Sequence, residues 1–386
     1  MELVTQTAAF FETSFDRKPD HIFLSPGRIN IIGEHIDYNH GYVLPAAIDK
    51  YVCLAVCRRT DSKCVILAKD IDEKHEFSLD DEIQPVDQMW ANYFLGVLSQ
   101  LVERELNLTG FDLAFSSTIP IGAGLSSSAA VECGFCFAMN EIYDLRLSKK
   151  EIALIGQKAE HTFVGVMCGI MDQFANMFGK ENQVIKLDCV TLEYDYHNAD
   201  FKDYSLLLLD SNVKHENLTS GYNDRRREVE NGFLVVSDNF PEVKSWRDCT
   251  IEHLNAVQSE LGNAYKRCLF VVSEIKRVLD AVDAIEKSDF HQLGKLMFET
   301  HDGLSNQYEV SCAETDFLVD LVKDDPNVIG SRMMGGGFGG CTINLVKKGH
   351  EEKLIDRVSS EYFYKFSVAL KPYQANISNG TSTYRL

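Results

Sequence analysis

Pro120-Ile-Gly-Ala-Gly-Leu-Ser-Ser-Ser-Ala-Ala130 is the stretch on which the reading of this chain turns. Ahead of it, Phe111-Asp-Leu-Ala-Phe-Ser-Ser-Thr-Ile119 begins with strand-like alternation, putting Phe111, Leu113 and Phe115 on one face. Behind it, residues 129–140 are apolar almost all round, which suits a buried helix. The order is strand, glycine loop, helix start. Gly122 and Gly124 lack a Cβ, so the loop can take unusual dihedral angles and lie close to a ligand. Ser126, Ser127 and Ser128 fall where a helix has unpaired N–H groups and the positive end of its dipole. Together these features make an anion site, with phosphate the anion expected. A simple helix cap is the competing reading, but it uses one serine and does not require two glycines upstream. No Gly-Lys in the chain is followed by Ser or Thr, so the loop is not a Walker A motif.

The chain has 386 residues, room for two domains sharing an interface. Its 45% hydrophobic and 25% charged residues are those of an ordinary soluble protein. A formal net charge of −20 argues against nucleic-acid and anionic-membrane partners, which select basic surfaces. An acidic protein that binds nucleotide phosphates needs magnesium and local positive groups to offset its own field. Eleven cysteines, spread singly or in loose pairs, fit reduced, buried thiols. Residues 1–12 lack a signal-peptide pattern and no apolar run approaches transmembrane length, so a cytoplasmic location is expected. The sequons at Asn107, Asn217, Asn376 and Asn379 then read as chance matches.

Residues 1–20 read as an amphipathic helix with Phe10, Phe11 and Phe15 inward. In residues 21–45 two apolar runs flank Pro26-Gly27, and polar groups then crowd between Gly33 and Gly41, as in a binding loop. Arg28, Glu34, His35 and Asp37 supply donors and acceptors suited to a polyhydroxylated ligand. Such a sugar site discriminates strongly, because buried polar groups left unpaired are costly. A solvated turn with local ion pairs, or a metal held by His35, Asp37 and His40, would use the same residues.

Residues 51–57 and 64–68 read as strands, and Leu147 to Gly165 as a helix carrying Glu160 and His161 towards Gly169. Asp172 stands among Ile170, Met171, Phe174 and Met177, where a carboxylate needs a partner. Arg28 is the natural one, and the pairing makes Asp172 a candidate general base; a helix-capping role near Gln173 is the alternative. Composition shifts after residues 178–182, and Val184 to Cys189 and Leu206 to Ser211 read as strands of a second unit. Asp224-Arg-Arg-Arg-Glu228 is flanked by acids and reads as a helix start. Residues 251–324 are helical in pattern. Gly335, Gly337 and Gly340 match G-x-G-x-x-G, but Cys341 to Val346 is β-like, so the dinucleotide fingerprint fails for want of a helix. A tight turn between two strands remains, able to lay bare backbone against the first loop.

Three segments together resemble galactokinases, a family of the GHMP small-molecule kinase superfamily: Gly27-Arg-Ile-Asn-Ile-Ile-Gly-Glu-His-Ile-Asp-Tyr38, residues 120–130, and Gly335-Gly-Gly-Phe-Gly-Gly340. Gly169-Ile-Met-Asp-Gln-Phe174, Ser211-Asn-Val-Lys-His215 and Tyr308-Glu-Val-Ser-Cys312 are similar to further family segments. The resemblance implies a two-domain α+β fold. A sugar- and ATP-binding N-terminal domain spans 1–180 and a ferredoxin-like domain 181–386, with the active site between them and the last strand region returning to the first domain. It implies ATP-dependent phosphorylation of α-D-galactose at its anomeric hydroxyl, with magnesium as cofactor and galactose and MgATP as partners, in a monomer or weak homodimer. By matching position, Glu34, His35, Ile36, Asp37, Gly169 and Tyr222 would form the sugar site. Gly122, Ala123, Gly124, Leu125, Ser126, Ser127 and Ser128 would wrap the phosphates, and Ser128 and Glu160 would hold magnesium. Asp172 would accept the sugar's proton, and Arg28 would orient it and stabilise the transferring phosphoryl group. Two departures bear on the choice of hexose: Ile36 where Thr is common, and Glu216-Asn-Leu-Thr-Ser-Gly221 before Tyr222. A kinase for a related sugar (N-acetylgalactosamine or L-arabinose) and a non-catalytic sensor of galactose and ATP are the alternatives.

Overall fold

A computed structural model of the chain describes residues 2–104, 108–214 and 218–385. Asn107, Asn217 and Glu216 lie outside the described residues. The chain opens with α1 (Glu2–Phe15), which buries Leu3, Val4, Thr7 and Phe11 along one stripe. The helix expected over 1–20 stops at Phe15, because Asp16 turns into the left-handed region at φ 51° and Pro19 follows. Strands β1 (His21–Asn30), β2 (Tyr42–Val43), β3 (Pro45–Arg58), β4 (Lys63–Ala68) and β5 (Glu73–Ser78) lead to α2 (Met89–Val102) and β6 (Phe111–Ser117). They assemble a six-stranded sheet ordered β13-β1-β3-β6-β4-β5, in which β4 and β6 run parallel. Helix α1 covers one face, and α3 (Ser127–Tyr143) with α5 (Met171–Phe178) packs on the other. Sealing both faces explains why β1 is buried at every position after His21, where an open sheet would alternate.

Between those two helices, α4 (Lys149–Ala159) starts on a Ser148–Glu151 capping box. The helix expected to run to Gly165 instead widens after Ala159 into a π-type turn over Glu160–Val164, closed by Gly165 N–H to Glu160 O at 3.0 Å. Past residue 180, β7 (Gln183–Asp188) pairs with β2 and with β8 (Tyr194–Asn198) in a three-stranded sheet.

The remainder is β9 (Tyr204–Lys214), then α6 (Leu218–Asn239), α7 (Ile251–Ala256), α8 (Gln258–Leu261), α9 (Ala264–Glu286), α10 (Phe290–Gly303) and α11 (Ala313–Val322). It closes with β10 (Val328–Met333), β11 (Gly339–Lys347), α12 (Glu351–Phe366), β12 (Lys371–Ala375) and β13 (Ser382–Tyr384). The antiparallel sheet β10-β11-β9-β12 has helices between β9 and β10 and between β11 and β12, which is the ferredoxin-like arrangement. The architecture is α+β, as the resemblance implies. Strand β13 then pairs with β1 at the edge of the N-terminal sheet. The Asp224–Glu228 run lies within α6, where Arg225, Arg226 and Arg227 each pair with a carboxylate three or four residues away. Among the described residues no helix is long and apolar enough to cross a membrane.

Candidate active site

The site is anchored in β1. Its register slips between Pro26 and Arg28, so the Pro-Gly pair is a bulge inside one strand and not a break between two. The bulge lets Arg28 N–H donate to Leu125 O at 3.2 Å, tying β1 to the glycine loop. The Arg28 side chain is buried and forked: Nε and Nη2 donate to the two Asp172 oxygens at 2.7 and 2.8 Å, and Nη1 donates to Gly124 O at 2.6 Å. Asp172 sits in the first turn of α5 and keeps 27% of its side chain exposed, towards the cleft. One guanidinium therefore holds both a carboxylate and the phosphate-type loop.

In that loop Gly124 takes φ +73°, and a Cβ there would stand 3.0 Å from the Met334 carbonyl. The glycine cluster at 335–340 is the turn between β10 and β11, with no helix after it, and Cys341 N–H donates to Ala123 O at 3.2 Å. The two glycine loops thus lie backbone to backbone. Ser126 adopts φ 59° and turns its hydroxyl onto Asp172, leaving α3 without a side-chain cap. The first bond of that helix is Ala130 N–H to Ser126 O, so the amides of residues 127–129 have no intrahelical partner. Capping, the simpler reading of the serines, is not what Ser126 does.

Across the cleft, Glu34 is buried against Arg332, whose Nη1 and Nη2 each approach Oε1 at 3.2 Å, while Gly335 N–H donates to the same oxygen at 2.9 Å. His35 is in the left-handed region at φ 63°, and its Nδ1 lies 2.7 Å from the Tyr38 hydroxyl oxygen. Its ring lies between those of Tyr222 and Tyr308, with centroids 5.3 and 5.0 Å away. Burial first, and then the Arg225 charge, push the His35 pKa down to about 3, so the ring is neutral at working pH. Asp37 accepts from Tyr38 N–H at 3.0 Å and Met171 N–H at 3.4 Å. Burial, reinforced by the Asp172 charge, raises its pKa to about 7.

Gly169 leaves room for Asp37: a Cβ there would fall 1.9 Å from Oδ2. Gly169→Ala is expected to displace Asp37 and raise the KM for sugar at least tenfold, with the KM for nucleotide little changed. Steady-state kinetics with each substrate varied would check it, and an unchanged sugar KM would remove Asp37 from the site.

Glu160, on the widened turn after α4, meets only neutral donors, Gln173 Nε2 at 3.1 Å, Cys168 Sγ at 3.5 Å and the Ser128 side chain. Burial and the Asp172 charge raise its pKa to about 7. Glu132, fully buried on α3, shares the Gln173 amide at 3.4 Å, and burial beside Glu160 pushes its carboxyl well up.

Arg28, Glu34, His35, Asp37, Gly122, Gly124, Leu125, Ser126, Ser127, Ser128, Glu160, Gly169, Asp172 and Tyr222 all line one cleft of about 490 Å³, together with residues 334–340. That volume suits a small-molecule site. Two sequence-derived residues do not line it. Ala123 is buried behind the loop and contributes only backbone. Ile36 packs fully into the core, its Cγ2 set against Gly41, so its side chain faces away from the cleft. His40 is exposed and pairs with neither His35 nor Asp37 as a metal set would require; among the described residues no group of three or more His, Cys, Asp or Glu could hold a metal ion. Arg332, Tyr38, Tyr308, Glu132 and Gln173 also build the site, and no local sequence pattern marks most of them. For Arg332 a signal existed: a lone arginine in the apolar run Val328 to Met334.

The family model for the GHMP kinases N terminal domain matches residues 92–180, that for the galactokinase galactose-binding signature residues 9–58, and that for the GHMP kinases C terminal region residues 281–365. A galactokinase of Thermotoga maritima is 41% identical over 356 residues, covering 92% of this chain and 98% of the relative. One from Actinobacillus pleuropneumoniae is 42% identical over 88% of each. Among solved structures, Lactococcus lactis galactokinase complexed with galactose superposes with a TM-score of 0.93 at 31% identity, covering 98% of this chain and 99% of that one. The Methanococcus jannaschii mevalonate kinase, 20% identical with a TM-score of 0.67, shares the fold. Matched along nearly its whole length by such relatives, and carrying the galactose-binding signature on β1 and the loop after it, the chain belongs to the galactokinase family of the GHMP kinases.

Proposed function

We propose that the chain transfers the γ-phosphoryl group of ATP to the anomeric hydroxyl of α-D-galactose, giving galactose 1-phosphate and ADP. The observation that carries this reading is a single cleft lined both by the polar Glu34–Asp37 loop and by the Gly122–Ser128 loop. Its relatives' names and the galactose-binding signature support the same hexose. We take residues 1–180 as the sugar- and ATP-binding domain and 181–386 as the C-terminal domain. We infer a monomer or weak homodimer, and the eleven free cysteines suit the cytoplasm.

Glu34, His35, Asp37 and Tyr222 bind the sugar hydroxyls, with Gly169 leaving them space. The bare backbone of Gly122–Ser128 and the uncapped start of α3 receive the phosphates. Asp172 accepts the anomeric proton, and Arg28 holds Asp172 in place and faces the transferring group. Ser128 and Glu160 fit a magnesium ion: the carboxylate is buried beside other acids and met only by neutral donors, so a cation would offset its charge. Two protein ligands, with phosphate and water completing the shell, is magnesium's habit. When bound, the ion supplies neutralisation of phosphate charge. Positioning and electrostatics are what phosphoryl transfer asks of a protein.

The test is ADP release with galactose, N-acetylgalactosamine and L-arabinose, with ³¹P NMR of the product. Galactose is expected to react fastest, at O1. A faster alternative sugar, or binding of both ligands without ADP, would overturn the reading.

The raised Asp37 pKa has a measurable consequence. Sugar hydroxyls donating to Asp37 favour its ionised form, so the complex binds fewer protons than the free protein. Galactose affinity is therefore expected to strengthen as pH rises towards about 7, and to level off above it. Calorimetric titration across pH should show this slope, and Asp37→Asn should flatten it.

A further inference from the structure

We propose that Tyr308, acting through Tyr38, fixes His35 in the tautomer that carries its proton on Nε2, so that the cleft presents the sugar with an imidazole donor. The relay itself stands on the protein alone; its use by the sugar rests on the function proposed above.

The direction of the relay follows from counting donors and acceptors. Asn39 Nδ2 lies 2.6 Å from the His35 carbonyl oxygen, which can only accept, so the orientation of that amide is settled. The same Nδ2 faces the Tyr308 hydroxyl oxygen at 3.4 Å. Tyr308 is fully buried, and its other neighbour in hydrogen-bond range is the Tyr38 hydroxyl at 3.0 Å. With an N–H donor on one side, the Tyr308 proton has the Tyr38 oxygen as its acceptor. Tyr38 must then point its own proton at His35 Nδ1, 2.7 Å away, and that nitrogen accepts. Reversing the chain would leave a buried hydroxyl proton with nowhere to go, which costs more than the order described.

A neutral imidazole has one N–H, so the proton sits on Nε2. That atom is buried and has no hydrogen-bond partner within the protein. Burial and the Arg225 charge keep the ring neutral. Tyr308 closes the turn after α10, in the half of the chain opposite β1 and its loop, so a C-terminal residue sets the polarity of an N-terminal ligand group. A sugar placed at Nε2 must offer a lone pair there. An analogue lacking that oxygen leaves the donor unpaired.

The experiment is long-range ¹H–¹⁵N NMR on the full chain labelled at histidine, first without ligand and then with galactose. His35 is assigned by the signal lost in His35→Gln. The expected result is a pyridine-like Nδ1 and a pyrrole-like Nε2 for the free protein. Tyr38→Phe should turn this into a tautomer mixture and raise the KM for galactose several-fold with little change in the KM for ATP. Tyr308→Phe, which keeps the ring and removes only the hydroxyl, should move the same signals in the same direction, and it serves if Tyr38→Phe does not fold. A pyrrole-like Nδ1 in the parent protein, or an unmoved tautomer in both variants, overturns the proposal. If the parent tautomer is as stated but galactose leaves the His35 signals in place, the relay is supported and it is the sugar assignment that fails.

Discussion

Asp172→Asn lowers kcat by about 10²- to 10⁴-fold, the range that loss of a positioned general base produces, in a protein that still folds and still binds both substrates. Asparagine keeps one oxygen to accept from Arg28 Nε, where the native distance is 2.7 Å, and Nη1 keeps the Gly124 carbonyl at 2.6 Å, so the guanidinium loses only the acceptor of Nη2. What disappears is the charge that, in the proposed reaction, takes the anomeric proton. Steady-state kinetics give kcat, and calorimetric titration with galactose and with a nonhydrolysable ATP analogue gives the two affinities. Turnover within about threefold of the parent would be too small a loss for a base, and Asp172 would then be only an anchor for Arg28 and Ser126.

Arg332→Met produces the largest loss of stability. Arg332 has no exposed surface, and besides Glu34 it donates to Ile31 O at 2.9 Å, Met333 O at 2.6 Å and Asn30 O. Methionine fills much of the volume but leaves the Glu34 carboxylate buried without its cation. Removing one partner of such a pair costs about 3–5 kcal/mol, and calorimetry should record a clearly lower Tm. The charge, more than the lost packing, is the cause, so adding Glu34→Gln to Arg332→Met should recover part of the Tm. An unchanged Tm in the single variant, or no recovery in the double, would show that the pair does not hold the halves together.

These two residues also show what the sequence displays and what it hides. The Phe111–Ala130 stretch is legible because its hydrophobic period changes from two to helical across a pair of glycines. Arg28 and Asp172 could be matched because a carboxylate among Ile170, Met171 and Phe174 demands a cation. The same logic applies to Arg332, yet its partner lies 298 positions away, and no local pattern ranks Glu34 above other acids. Tyr308 is less visible still, since a buried tyrosine is unremarkable until its hydroxyl is traced. The widened turn at Glu160 differs from a helix by one long backbone bond, below the resolution of residue periodicity. Ile36 shows the converse. Its neighbours in the motif face the cleft, but alternation along the loop turns this one side chain into the core.

Strand β13 lies beside β1, Ile377 bridges to Ile48, and the Thr381 hydroxyl reaches Ser25 and Asn176. The backbone therefore passes from one half to the other before β9 and passes back after β12. Two covalent joins leave neither half free of the other, and removing the last strand would cut one join and bare the backbone edge of β1 to solvent.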